Sequence, residues 1–176
     1  MKRKATIKRV ITNPAWKLRP LRKHEQRVGR NVFKINTGLK HGEKVLIVTD
    51  SIKIDNEASL FFEVAKTLTD KVTLIEMEPA RANGEEPPPE VATAMQEADI
   101  VLIITRYSLS HTNARHNANL AGARIVSMPG IRMDSILHNL SIDYRETAAL
   151  SLSIAEILTN GTKAHLTSTG GTDITF

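Results

Sequence analysis

The sequence predicts an α/β fold, a three-layer doubly wound and mostly parallel sheet with helices on both faces. Three observations carry this. Short runs rich in Val, Ile and Leu recur along the chain: "KVLIVTD" (44–50), "KVTLIEM" (71–77), "DIVLIIT" (99–105) and "RIVSM" (124–128). They read as near-continuous apolar stretches, the form of parallel strands buried on both faces. A segment of helical character lies between successive runs, and each parallel crossover needs one to return the chain to the same end of the sheet.

The elements follow in order. From Arg22 onward Val28, Val32, Ile35 and Leu39 fall at helical spacing, with Arg22, Lys23, Arg27, Arg30 and Lys34 on the polar side. Gly38 and Gly42 punctuate the chain before the first strand. "NEASLFFEVAKTL" then sets Phe61, Val64, Ala65 and Leu68 on one face, with Asp55 available as N-cap. After the second strand, "EPARANGEEPPPE" carries Gly84 and three successive prolines, which suits a surface loop. Pro89 can open a short helix over "EVATAMQEA". A helix from about His111 to Ala121 has Ala114, Ala118 and Ala121 as a narrow packing face and Ser110 as its expected N-cap. A brief helix around "MDSILHNL" follows the fourth strand. Asp143 and Glu146 resemble a capping box that opens a long helix ending at Asn160 and Gly161, and "KAHLTST" is a last strand candidate.

A chain of 176 residues is long enough for one α/β domain plus an appendage. The expected division is a basic arm over 1–20 and the α/β domain over 21–176. Cysteine is absent, which excludes disulfides, thiolate catalysis and thiolate metal sites. No apolar run approaches the roughly 18 residues that cross a bilayer, so a soluble, cytoplasmic protein without a membrane partner is expected. The net charge of +5 is unevenly placed: residues 1–30 hold eleven Lys/Arg and one acid, and the rest of the chain is net acidic. Most of the basic residues from 22 onward belong to an amphipathic helix, and no interleaved aromatics accompany the arm. That weighs against nucleic acid as a partner.

In doubly wound sheets ligands bind outside the carboxyl ends of the strands, which singles out Asp50–Asn56, Arg106–Thr112 and Met128–Ile131. "TDSIKIDNEA" has no glycine to bring phosphate onto backbone amides, and Asp50 repels phosphate, so a nucleotide site is disfavoured. His111 and His116 are five apart, where two ligands on one helical face prefer four. Ser108 and Ser110 lack the glycine-flanked elbow of a nucleophilic serine. Asp50, Asp55, Glu57 and Asp99 offer carboxylates, with Asp99 expected at the opposite end of the sheet from Asp50. Spacing completes no catalytic set.

The ordered series "GLKHGEKVLIVTD", "EADIVLIITRYSLSHTNARHNANLAGARIVSMPGI" and "LTSTGGTDITF" resembles the N-terminal half of the thermophilic-type metallo-aminopeptidases, the aminopeptidase T and aminopeptidase S, leucyl aminopeptidase-like group. The resemblance covers roughly 28–176. It implies a cytoplasmic metalloprotease that releases N-terminal amino acids from a peptide substrate with two divalent metal ions of the zinc, cobalt or manganese type. In that group the metal ligands lie on a second domain downstream, so this chain is expected to be a truncated scaffold, inactive alone and with no metal bound. Asp50, Arg106, His111, Thr112 and Arg115 are then expected to line or brace the cleft. An apolar face meant for another domain favours a homo-oligomer. Two other readings stand beside it: half of a related iron enzyme that opens aromatic rings, and a small binding module that uses the basic arm.

Overall fold

The apolar runs become strands in a computed structural model that describes residues 6–12, 20–51, 57–142 and 144–176. In chain order the strands are Ile7–Ile11 (β1), Val45–Thr49 (β2), Val72–Met77 (β3), Ile100–Ile104 (β4), Arg124–Ser127 (β5), His165–Thr167 (β6) and Asp173–Thr175 (β7). The helices are Lys23–Asn31 (α1), Glu57–Lys66 (α2), Pro89–Glu97 (α3), Asn113–Leu120 (α4), Met133–Asn139 (α5) and Tyr144–Asn160 (α6). Two compact units result, Met1–Ile142 and Asp143–Phe176.

The first unit is built on a five-stranded sheet in the order β1-β3-β2-β4-β5. β3, β2, β4 and β5 run parallel, and β1 adds an antiparallel edge against β3. Alternate residues of the central strands supply two separate cores. Ile47, Leu74 and Leu102 meet α1, α2 and α5 on one face, whereas Val48, Ile75, Val101 and Ile103 meet α3 and α4 on the other. The doubly wound α/β architecture is therefore present. Because β3 and β4 flank β2 on opposite sides, the chain direction reverses between β2 and β4, and a crevice opens there at the carboxyl ends.

Local departures have local causes. Residues 7–11, assigned above to the basic arm, are a strand: Ile7 and Ile11 are half-buried, and the exposed Lys8 and Arg9 lie near Glu78 and Glu76. The periodicity from Val28 to Leu39 does not hold as one α-helix, because α1 runs into a π-helical turn, Val32–Asn36, closed by Thr37 N–H to Val32 O at 2.9 Å. The widened turn rotates the face, so Phe33 enters the core with Val28, Val32 and Leu39 while Ile35 is only half-buried. Pro89 opens α3 as expected. Ser110 does not cap α4. Thr112, with extended backbone, accepts the Arg115 N–H at 3.2 Å and starts the helix two residues later. Asp55 and Asp143, the other expected caps, lie outside the described residues.

The second unit holds α6 and an antiparallel β6–β7 hairpin, which extends the single strand expected near 163–169. No residue of α6, β6 or β7 is buried. Among the described residues no helix is long and apolar enough to cross a membrane.

Candidate functional site

The crevice at the reversal point is a cleft of about 270 Å3 lined by Thr49, Asp50, Ser51, Glu57, Ile104, Thr105, Arg106, Gly130 and Ile131. Described residues that follow β2, β4 and β5 line it, and Glu57 opens α2 at its edge. A larger hollow of about 330 Å3 lies at the amino ends of the strands, with Lys44, Asp70, Lys71 and Glu97 at its rim. The carboxyl-end cleft is the candidate site, because there the loops diverge from neighbouring strands and leave polar groups facing an opening.

The two central strands end alike. Thr49 is buried and its hydroxyl donates to Ser51 O at 3.2 Å; Thr105 is buried and its hydroxyl donates to Tyr107 O at 2.6 Å. Each threonine therefore folds its own loop back across the strand end. The loops are also tied to each other, since Asp50 Oδ2 accepts the Arg106 main-chain N–H at 2.7 Å. The third loop joins through Gly130, whose N–H donates to Thr105 O at 2.8 Å. Gly130 has φ +62°, a left-handed conformation that glycine adopts without strain. The Arg106 guanidinium stands 5.7 Å from the Tyr107 ring centre, a cation–π distance.

Asp50 and Arg106 are thus brought together at the cleft, and the other three expected residues are not among its lining. Thr112 is buried as the cap of α4. Arg115 donates from Nε to Ser110 O at 2.8 Å and from Nη1 to Asn119 Oδ1 at 2.8 Å, so it braces the loop before α4. His111 is exposed and precedes α4, so it shares no helical face with His116. Ser110 Oγ bonds Ser127 Oγ at 3.0 Å, and Ser108 Oγ accepts the Ser110 N–H at 3.1 Å. Among the described residues neither serine meets a histidine, which leaves no nucleophilic pair. Asp99 accepts the Lys44 N–H at 2.7 Å where β2 and β4 begin, at the far end from Asp50 as its position in the sequence indicates.

Sequence reasoning missed how firmly the proline-rich loop holds this region. Asn83 Oδ1 accepts the Ser108 N–H at 2.8 Å, Gly84 N–H donates to Ser108 O at 2.8 Å, and the Glu86 carboxylate takes the Asn113 and Ala114 N–H groups at 2.6 and 3.1 Å. The amino end of α4 is therefore already occupied by an anion of the same chain. The signal available was "EE" before the prolines, but the sequence does not say which helix such a carboxylate reaches. Among the described residues no group of three or more His, Cys, Asp or Glu converges on a metal-sized site.

A family model described as NicX, 2,5-dihydroxypyridine 5,6-dioxygenase, matches residues 27–176. No curated protein and no solved structure matches the chain. The family match overturns the aminopeptidase resemblance and what it implied: a hydrolase, a protease and a peptide substrate. The motifs that suggested a peptidase are strand ends, caps and turns of a scaffold, and such features do not specify chemistry. A dioxygenase of this kind implies a metal such as iron, in keeping with the divalent metal that the resemblance implied.

Proposed function

The chain belongs to the NicX family of 2,5-dihydroxypyridine 5,6-dioxygenases, and from that premise we propose that it supplies the α/β scaffold of a ring-opening dioxygenase whose cleft between β2 and β4 receives a hydroxylated aromatic ring. The family match over 27–176 is the observation that carries this reading. The cleft supports it, being sized for one substituted six-membered ring and lacking the glycine-rich turn that a nucleotide needs.

Ring opening by a dioxygenase adds both atoms of O2 to the substrate and breaks one ring bond. A metal such as iron supplies the activation of O2, whose triplet ground state does not combine directly with a closed-shell ring. The described residues do not fit such an ion, since no ligand set converges among them. In this reading the described residues bind and orient the ring. Asp50 and Arg106 present an acceptor and a donor to the ring, Ile104 and Ile131 offer it apolar contact, and the Thr49 and Thr105 hydroxyls hold the loops that carry them. Thr112 and Arg115 keep the loop before α4 in place, and exposed His111 lies on that same loop.

The test is oxygen consumption. The protein purified from its own cell and supplied with iron(II) is expected to take up one O2 per 2,5-dihydroxypyridine, with both atoms of 18O2 in the product and loss of the ring's ultraviolet absorbance. Absence of uptake, or incorporation of a single labelled atom, overturns the reading.

A further inference from the structure

An asparagine followed by glycine is prone to spontaneous loss of its side-chain amide, because glycine has no β-carbon to shield its nitrogen. The chain holds two such pairs, Asn83–Gly84 and Asn160–Gly161. The fold treats them differently. In the proline-rich loop Asn83 Oδ1 accepts the Ser108 N–H at 2.8 Å, and the Gly84 N–H donates to Ser108 O at 2.8 Å. Both reacting groups, the carboxamide and the glycine nitrogen, are therefore held on Ser108. Asn160 is the exposed last residue of α6, and among the described residues its carboxamide has no partner. The Gly161 N–H reaches Leu158 O at 3.3 Å, a long bond at a helix end, where local opening costs least.

We propose that Asn160 is a site of deamidation, and that Asn83, with the same sequence chemistry, is protected by the fold. The Gly161 nitrogen attacks Asn160 Cγ and forms the N–Cγ bond of a cyclic imide. The Cγ–Nδ2 bond breaks, and Nδ2 leaves as ammonia with the proton that Gly161 gives up. Water then opens the imide at either carbonyl to give aspartate or isoaspartate, with no change of oxidation state. Either product places a carboxylate where the open carbonyls of α6 already concentrate negative charge, so the last turn of the helix is weakened. Isoaspartate also lengthens the main chain by a methylene. The reaction uses neither a metal nor a ring substrate, and it stands apart from the dioxygenase reading.

Incubation of the intact protein at mildly alkaline pH in 18O-labelled water, followed by mass analysis of its proteolytic peptides, tests this. The peptide holding Asn160 is expected to take up the label about 10- to 100-fold faster than the peptide holding Asn83, the protection that two hydrogen bonds give. In urea, where the contacts to Ser108 are gone, the two rates are expected to converge. Gly161→Ala shields the nitrogen and is expected to suppress labelling at Asn160 while leaving Asn83 unchanged. The added β-carbon meets Ile157 O at 3.4 Å and Leu158 O at 3.5 Å, ordinary contacts, so the helix end keeps its shape. Equal rates in the folded protein, faster labelling at Asn83, or no labelling at Asn160 overturns the proposal. A rate ratio that persists in urea overturns it as well, because the difference then lies in the neighbouring sequence and not in the fold.

Discussion

Glu86 holds the amino end of α4 through Asn113, whose N–H meets Glu86 Oε1 at 2.6 Å while the next N–H, of Ala114, meets Oε2 at 3.1 Å. A residue from the proline-rich loop thus satisfies donors that a helix start leaves open, and it places negative charge at the positive end of the helix. Glu86→Ala is expected to cost about 1 kcal/mol and to lower Tm by roughly 2–4 °C. Glu86→Gln keeps one acceptor and loses less. Thermal unfolding of the two variants checks this, and an unchanged Tm for Glu86→Ala would show that the contact contributes nothing.

Gly29 marks the close approach of α1 to α2. A β-carbon at residue 29 would stand 2.7 Å from Val64 Cγ2, closer than real β-carbon contacts come, and 3.1 Å from Val64 Cβ, tighter than most. Both helices pack on the same core, with Val28 and Val64 buried to 0% and 1% exposure, so neither can move away freely. Gly29→Ala is expected to destabilise by about 1–3 kcal/mol through overpacking, despite the better helix propensity of alanine. Val64→Ala in the same chain makes room and recovers part of the loss. A double-mutant cycle by urea unfolding reads the coupling, and strict additivity would contradict the contact.

The parts of the fold that depend on local pattern were legible in the sequence. β2, β3, β4 and β5 announce themselves because buried parallel strands need Val, Ile and Leu on both faces, and Phe61, Val64 and Ala65 mark α2 by spacing. β1 was not legible, since its place depends on pairing with β3 some sixty residues away and its middle residues are charged. The π-helical turn was hidden for another reason: one added residue per turn changes which of Phe33 and Ile35 faces inward without changing composition. At the site, the carboxyl-end rule located Asp50 and Arg106, but it could not separate residues facing the cleft from those bracing it, such as Arg115. The chemistry was the least legible, because strand ends and caps serve a peptidase scaffold and a dioxygenase scaffold equally. The family match made the difference.

Glu43 offers a test in acid. Partial burial works to raise its pKa, but hydrogen bonds from Arg124 and the Lys40 main chain, with the charge of Arg124, outweigh that and leave it below the ordinary carboxylate value. Arg124 Nη2 is 2.6 Å from Glu43 Oε2 and its Nη1 donates to Thr37 O and Gly38 O, so the pair ties β5 to the end of the π-helical turn. A carboxylate with a depressed folded value contributes stability that is complete above its unfolded value and lost as pH falls through the folded one. Glu43→Gln is therefore expected to be less stable than the unaltered protein near pH 7, by about 0.5–1 kcal/mol after solvent screening. The gap narrows below pH 4. Urea unfolding at stepped pH measures it, and a constant gap would remove the ion pair as its cause.

The second unit predicts association. α6 leaves Leu150, Leu152, Ile154, Ile157 and Leu158 exposed, and the hairpin leaves Leu166, Ile174 and Phe176 exposed. Apolar surface of this kind clustered in one short segment is rarely left in water, and a helix apolar on most sides is normally covered. The chain is therefore expected to form a homo-oligomer at micromolar concentration, with the second unit as the associating surface. Ile157→Glu together with Leu158→Glu places charge on that surface. Neither core includes a residue beyond Leu140, so the doubly wound fold should survive. Sedimentation equilibrium is expected to give a multiple of 19.5 kDa for the unaltered chain and a value near 19.5 kDa for the double variant. The same mass for both, whether monomer or oligomer, would mean that α6 does not mediate association, and far-ultraviolet circular dichroism of the variant would confirm that the comparison is between folded proteins.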